Sequence, residues 1–493
     1  MKIALLCLAS VFTIISCSKD DKKLATGLYN ITENAPQISS WQSVNEIEAT
    51  SSIQVLNQFN QPVVGAQVLI GSDTDAPFKN NLFTTDKNGQ IQNLSAWTMS
   101  AHITADAPGY VRQTLLNQKP GLVTFKLNPS YLVSQATITG QVTQLPVVDK
   151  DKQIDFGIVM SALTRADLLN FDLNSVITPI NDIMKVASYT IPVPSNVSLP
   201  KQKESYIIGL TIEKPTYRFF TPTLGTRRLF AAAGRFPFKT VVDELRGGKP
   251  FYEVINYFDL QGGGIRDVTS TNAITNLDIP GNELSFTVPV TIASPTLNPD
   301  EVFVALTASE VSGYMIPTGL KKMDSNTSVD LKTLDNKPAF TVNVIKKQSE
   351  FMSQAPGADR LSAALLPYAA NKAPVMLPLV NDPSVTETDG YLIKLPQISN
   401  TTGVYPLAVT AVISEIQISG PADQQTSNLV RKWEVLGTKW PTQIQLPNWP
   451  LDATTNKRRF EINYIAGPKK QDVDLGNGLI QAASHVTHSS ADF

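Results

Sequence analysis

IQVLNQFNQPVVGAQVLIG, residues 53–71, alternates apolar and polar positions, breaks at a turn, and then resumes the alternation. A period of two places every second side chain on one face of an extended chain, which a helix cannot do. Gln61-Pro62-Val63-Val64-Gly65-Ala66 makes the turn, with proline presetting φ and glycine accepting a positive one. The stretch reads as two half-buried strands. TTDKNGQIQNL (84–94) repeats the logic, because Asp86-Lys87-Asn88-Gly89 supplies the positive-φ positions of a hairpin. In HITADAPGYVRQTLL (102–116) a tight bend at Ala107-Pro108-Gly109-Tyr110 precedes another strand, and VTFKLNP (123–129) adds one more.

Working outward, strand-like runs recur at 154–160, 206–212, 302–307 and 407–413, while helical signals are few. Thr164 to Asn170 and Thr240 to Arg246 each open on an N-cap threonine with Asp three residues on, and the second ends at Gly247-Gly248. A third helix is expected over 358–370, rich in Ala and Leu but interrupted by Pro367. With 33 prolines and 27 glycines spread along the chain, long helices and parallel α/β units are disfavoured. The expected fold class is mainly β: tandem antiparallel β-sandwich domains with few short helices.

Residues 53–130 resemble the small immunoglobulin-like or carboxypeptidase-regulatory-like sandwich of many bacterial surface proteins. In that family the unit stands beside a zinc peptidase, but no close-set His and Glu ligands accompany it here. The resemblance implies a fold and no catalysis.

A second pattern extends beyond it. A strand ending near proline, a polar loop and a second strand recur as QVTQLP…IDFGIVM (141–160), YTIPVP…YIIGLTI (189–212), FTVPVT…VFVALTA (286–308), YLIKLP…YPLAVTAVI (391–413) and TQIQLP…RFEINYI (442–465). Related modules, each built on such a hairpin, are one reading, and chance recurrence in a β protein is the other. The chain divides as 1–17 signal, 18–52 tether, 53–130 first sandwich, 131–345 β-rich with an insertion near 225–267, 346–475 C-terminal β domain, and 476–493 polar tail.

At the N-terminus, Met1-Lys2 carries positive charge, residues 3–15 are apolar, and Ile14-Ile15-Ser16 precede Cys17. The order is that of a secretory signal, and the apolar run is too short for a ~30 Å hydrocarbon core. Ile14-Ile15-Ser16-Cys17 resembles the lipobox of bacterial lipoproteins, which implies cleavage before Cys17 and acylation of that residue, for example with palmitate. Several acyl chains hold far more firmly than one. Cys7 lies in the discarded segment, so no second thiol remains for a disulfide or a cysteine metal site. The polar stretch to residue 52 reads as a flexible tether. Lys19-Asp20-Asp21 resembles the surface-export signal of some Bacteroidota lipoproteins, and Ser18 resembles the outer-membrane sorting class of enteric bacteria. The expected partner is therefore a membrane, met through the lipid anchor at the outer membrane on its cell-surface or periplasmic face.

Chemistry is scarce. With 41 basic and 43 acidic residues no global field attracts nucleic acid. Among three histidines, His102 reads as a hydrogen-bonded structural residue, and His485 and His488 fall in the Ser-rich tail, expected to be loosely attached. No GxSxG accompanies them. Asp73-Thr74-Asp75 and Asp149-Lys150-Asp151 read as solvated turns rather than calcium loops. No catalytic residue, metal or cofactor is assigned. Two ligand-binding candidates remain. Trp433, Trp440 and Trp449 in WEVLGTKWPTQIQLPNWP either stack on sugars or fill a core. Arg227, Arg228 and Arg235, in the aromatic and basic stretch around Gly262-Gly263-Gly264, either face a glycan or anionic polymer or belong to an insertion with a glycine loop. The function expected is a non-catalytic binding, adhesion or structural protein of the envelope that meets glycans or other envelope proteins. A carboxylate-based glycoside hydrolase or its polysaccharide-binding subunit is the alternative.

Overall fold

The computed structural model describes residues 51–57, 60–71, 81–130, 136–144, 154–162, 182–186, 189–193, 206–209, 216–221, 225–249, 251–271, 274–350, 360–388, 390–419, 426–449, 456–475 and 477–493. Cys17, the signal and tether up to residue 50, the acidic turns at 73–75 and 149–151, and the helix expected at 164–170 lie outside them. The described chain is mainly β, with several multi-stranded sheets and a few short helices.

The first unit contributes β1 (Ser52–Asn57), β2 (Gln67–Ile70), β3 (Leu82–Thr84), β4 (Gln90–Ile91), β5 (Ala101–Asp106), β6 (Arg112–Gln118) and β7 (Leu122–Leu127). The small sheet β4-β1-β7 packs on β3-β2-β5-β6 around Val55, Val68, Trp97, Ile103, Leu115 and Phe125. The hairpin glycine is required where expected. Gly89 has φ 70° and lies so close to Val55 that an added Cβ would meet its carbonyl oxygen at 2.5 Å. Asp86 Oδ1 accepts from the amides of Asn88 and Gln90, each at 2.8 Å, and fixes the turn.

The middle of the chain forms β8 (Ala136–Thr143), β9 (Ile154–Ser161), β10 (Asp182–Val186), β11 (Tyr189–Val193), β12 (Tyr206–Gly209), β13 (Thr216–Thr221) and β14 (Gly225–Phe236). Helices α1 (Phe238–Arg246) and α2 (Phe251–Val254) follow, and α1 ends at the expected Gly247-Gly248. Then come β15 (Asp259–Ser270), β16 (Ile274–Asn276), β17 (Ile279–Pro280), β18 (Leu284–Ala293), β19 (Glu301–Val311), β20 (Tyr314–Met323), β21 (Ser328–Leu334) and β22 (Ala339–Lys347). The rest is β23 (Leu361–Pro367), β24 (Ser384–Thr388), β25 (Gly390–Lys394), β26 (Tyr405–Ser419), β27 (Thr426–Thr438), β28 (Gln443–Leu446), β29 (Arg458–Gly467), α3 (Asn477–Ala482) and β30 (His485–Asp492).

One sheet of twelve strands, β20-β19-β22-β23-β30-β29-β26-β27-β6-β5-β2-β3, runs through the first unit and the C-terminal half. Smaller sheets cover it. The five-stranded sheet β21-β18-β15-β14-β9 supplies Leu229, Phe230 and Ala232 to a core shared with Val302, Val304 and Val342. The sheet β24-β25-β28 packs Ile393, Ile444 and Leu446 on Val409, Ile413 and Phe460.

Four sequence expectations are corrected here. The recurrent strand pairs are not hairpins. In all five, β8/β9, β11/β12, β18/β19, β25/β26 and β28/β29, the two strands lie in different sheets, so each unit is an arch that crosses between layers. Residues 361–367 are β23 rather than helix, because pairing with β22 and β30 outweighs the helix preference of Ala and Leu. The stretch 225–267 is no insertion, since β14 and β15 pair along eleven positions in the middle of a sheet. Its glycines sit inside β15, where the chain of β17 passes so near that a Cβ on Gly264 would collide with the Pro280 carbonyl.

The fourth correction concerns the C-terminus, which is an interior strand rather than a loose tail. β30 lies between β23 and β29. Its polar side chains are buried because an extended strap at 375–381 accepts their hydrogen bonds. His485 Nε2 donates to Val375 O at 3.0 Å, Thr487 Oγ1 to Pro378 O at 2.9 Å, and Ser489 Oγ to Asn381 O at 2.9 Å. Ser362 Oγ of β23 adds a bond to Leu377 O at 2.6 Å. Every second residue of β30 faces the strap, so HVTHS is an amphipathic pattern whose polar face is satisfied internally.

Gly264→Ala should cost at least about 3 kcal/mol, because the obstacle is backbone and cannot rotate away. Denaturant unfolding of purified protein measures it. An unchanged midpoint would contradict the close crossing of β15 and β17.

Candidate functional site

The twelve-stranded sheet is continuous only because β6 and β27 pair, in parallel, with Arg112 opposite Trp433, Gln113 opposite Glu434, Thr114 opposite Val435 and Leu115 opposite Leu436. Alternation then serves two cores at once. Leu115 and Leu436 enter the first-unit core, while Leu116 and Trp433 enter that of the C-terminal sheets.

Arg112 opens this ladder. Its guanidinium carbon lies 4.6 Å from the ring centroid of Trp433 and 5.0 Å from that of Trp449. Nη2 donates to Asp106 at 2.9 Å, and Nη1 to the Trp449 carbonyl at 3.2 Å. A guanidinium is weakly hydrated and planar, so it can be stacked by indoles while its edge keeps a carboxylate. Beside it, Trp433 Nε1 donates to Thr114 Oγ1, which also meets Thr104 Oγ1, both at 2.8 Å. Tyr391 contacts Trp433 edge-on with centroids 5.9 Å apart. The buried Glu434 carboxylate accepts from Asn128 Nδ2 at 3.2 Å and from Arg431 Nη1 at 3.2 Å. The charges of the seam are thus matched by named partners, and the arrangement holds two units in fixed register.

Of the tryptophans, Trp433 and Trp449 meet around Arg112. Trp440 stands apart. Its Nε1 is shared between the Ala408 and Ile465 carbonyls at 3.0 and 3.1 Å, and its ring lies 5.6 Å from that of Tyr464. All three pack against the C-terminal core, Trp433 fully buried and the others partly. The arginines do not converge either. Arg228 holds Asp267 through Nε at 2.7 Å and Nη2 at 2.9 Å, above the Tyr314 ring. That pairing raises its pKa further. Arg227 is opposite Val268 in the β14–β15 ladder. Arg235 lies at the far end of β14, roughly 23 Å along the strand at ~3.3 Å per residue.

Sequence reasoning missed Arg112. Its only signal was a charge inside the strand pattern of YVRQTLL, where an exposed position would not alternate correctly. His102 is hydrogen-bonded as expected, with Nδ1 accepting from the Asn117 amide at 3.0 Å. His485 and His488 lie three apart on a strand and so face opposite sides of the sheet. Burial lowers the pKa of His485, with its bond to the Val375 carbonyl opposing. Because that carbonyl can only accept, Nε2 carries the proton and Nδ1 receives the Ser484 hydroxyl at 2.7 Å. Among the described residues no group of three or more His, Cys, Asp or Glu is placed to hold a metal ion. No family model and no curated protein matches this chain.

Arg112→Ala should destabilise the protein by about 3 kcal/mol, because Asp106 loses its partner and the slot between two indoles empties. Arg112→Lys should recover less than half, since an ammonium cannot stack and donate in two directions together. Equilibrium unfolding of the two variants checks both. The folded state also keeps His485 neutral where the unfolded chain binds a proton. Stability should therefore fall as pH drops through the unfolded value of about 6.5, and His485→Asn should flatten that slope. Unfolding free energies between about pH 5 and pH 7.5 decide it.

Proposed function

We propose that this chain is a lipid-anchored exported protein of the bacterial envelope, held at the outer membrane by acyl chains on Cys17. Its β body then acts as a non-catalytic structural or binding element that meets other envelope components, glycans or proteins. The observation that carries the reading is the β6–β27 seam, which makes the first unit and the C-terminal half share one sheet. Residues that would serve a sugar site if exposed, Trp433 and Trp449, are spent on that seam. A sheet joined in this way resists bending between units, which suits a body presented at the end of a tether.

The N-terminal sequence supports the anchor. A lysine, an apolar run and Ile14-Ile15-Ser16-Cys17 stand in the order of a lipoprotein signal, followed by a polar stretch long enough to separate body from bilayer. The first-unit motifs resemble immunoglobulin-like or carboxypeptidase-regulatory-like sandwiches of surface proteins, which agrees with a presenting role.

Cys17→Ala should release the protein from the membrane fraction, while the wild type stays with it and incorporates labelled palmitate. Equal partition of the two would end the anchor reading. Protease added to intact cells distinguishes the two faces, because trimming indicates surface display and full protection the periplasm.

A further inference from the structure

Three rungs of largely polar side chains cross one face of the twelve-stranded sheet at its centre. Residues directly opposed on neighbouring strands share a face. The first rung therefore runs from Leu361 through His488, Asn463 and Thr410 to Leu436, on β23, β30, β29, β26 and β27. Leu361 belongs to the core under the five-stranded sheet, and Leu436 to that of the first unit. The second rung is Ser490, Glu461, Val412, Glu434 and Gln113, and the third is Asp492, Arg459, Ser414 and Arg431. Between the two cores Thr410, Val412, Glu461, Asn463 and His488 are half-buried rather than enclosed. Glu461 and Glu434 flank Val412, about 10 Å apart across two strand spacings, while Thr410 and Ser414 lie about 6.6 Å from it along β26.

Most charges in these rungs have a partner. Arg459 holds Asp492 through Nε at 2.6 Å and Nη2 at 3.1 Å, and Arg431 Nη1 donates to Glu434 at 3.2 Å. Asn463 accepts from His488 Nδ1 at 2.8 Å and donates to Thr410 Oγ1 at 3.4 Å. Glu461 differs. Among the described residues its half-buried carboxylate has neither an ion pair nor a hydrogen bond, the nearest cation along β29, Arg459, being held by Asp492. Ser414 and Gln113, both wholly buried, keep Oγ and Oε1 without a hydrogen-bond partner. Such unpaired polar atoms are uncommon in a folded interior. Glu461, Ser414 and Gln113 bring unmet oxygens from β29, β26 and β6 to one face, and the first of them is charged.

We propose that this face binds an amino sugar, with Glu461 as the counter-charge of its ammonium group. A charge-assisted hydrogen bond to a half-buried carboxylate is strong and selects a cationic donor over a neutral one. The sugar hydroxyls then meet the hydroxyl and amide groups of Thr410, Ser414, Asn463 and Gln113, which can both donate and accept. A lone ammonium on an aliphatic stem would leave those groups unused. No Trp, Tyr or Phe stands in the three rungs, so charge and hydrogen bonding rather than ring stacking carry the recognition. The inference rests on the reading of the β body as a binding element and names its ligand class. Trp433 lies on the opposite face of the sheet, so the site leaves its stacking on Arg112 intact.

The test is calorimetric titration of the full chain in a neutral detergent and weakly acidic buffer, where the amine is charged. The probes are a glucosamine disaccharide with free amines, the same disaccharide with both amines acetylated, and Nα-acetyl-lysine amide. The free-amine sugar is expected to bind saturably and roughly tenfold or more tighter than either of the others. Glu461→Gln should remove its advantage over the acetylated sugar. Absence of saturable heat from the free-amine sugar would overturn the proposal, as would equal binding of the acetylated sugar or of the lysine derivative, or an advantage that Glu461→Gln retains. Far-ultraviolet circular dichroism monitors folding, and the wild-type comparison alone decides if the variant does not fold. Membrane fractionation of Cys17→Ala tests the anchor separately, so failure of one reading is distinguishable from failure of the other.

Discussion

The parallel pairing of β6 with β27 is the constraint on which the rest of the molecule depends. Parallel neighbours need a crossover, and here the crossover is the whole of the chain between Gln118 and Thr426. Such a closure loses much chain entropy, though the cost grows only logarithmically with length. Backbone pairing over four positions is a thin return for that loss. Arg112 supplies what the ladder lacks, since one guanidinium joins Asp106 of the first unit to two indoles of the C-terminal half. The apolar alternation along the ladder then feeds both cores, so neither unit can shift register without exposing Leu115 or Trp433.

The arches solve a related problem. A hairpin returns to its own sheet, whereas a chain that must build a second layer has to leave the ladder. Pro396 and Pro447 follow β25 and β28, where the missing N–H and fixed φ stop further pairing. The next strands, β26 and β29, are then free to join the large sheet. The two arches are neighbours at both levels, because β25 pairs with β28 and β26 with β29. Tyr464 Oη ties the levels by donating to the Pro396 carbonyl at 3.1 Å. The facing strands of each arch contribute side chains to one core.

Much of this was legible in the sequence. Period-two runs identified most strands, and Asp86 to Gly89 and Gly247-Gly248 marked a turn and a helix end, because these depend on local conformation alone. The recurrence near proline was visible too, yet its meaning was not, since a hairpin and an arch have the same local pattern and differ in long-range pairing. For the same reason Leu361 to Pro367 looked helical, and Gly262 to Gly264 looked like a loop although they are packed against β18, β14 and β17 in turn. The candidate residues suffered most. Tryptophans and arginines carry the same letters when buried in a seam as when exposed to a ligand, and only geometry separated Trp433 and Trp449 from Trp440. The clearest miss was HVTHS, whose alternation signals a half-polar strand only once the strap at 375–381 is known to accept its bonds.

That strand also joins the two parts of the large sheet. Among the described residues β23 and β29 are joined only through β30, so without it the large sheet would stand in two parts. β22 and β23 can form with β19 and β20, and β26, β27 and β29 can form with each other, because these contacts are comparatively near in sequence. The His, Thr and Ser side chains of β30 gain from burial only when the strap is already extended across β23, where Ser362 holds it. Pairing between elements so far apart in sequence slows folding. The polar face of β30 therefore specifies its place, because its hydroxyls and imidazole are satisfied where the strap at 375–381 accepts their bonds.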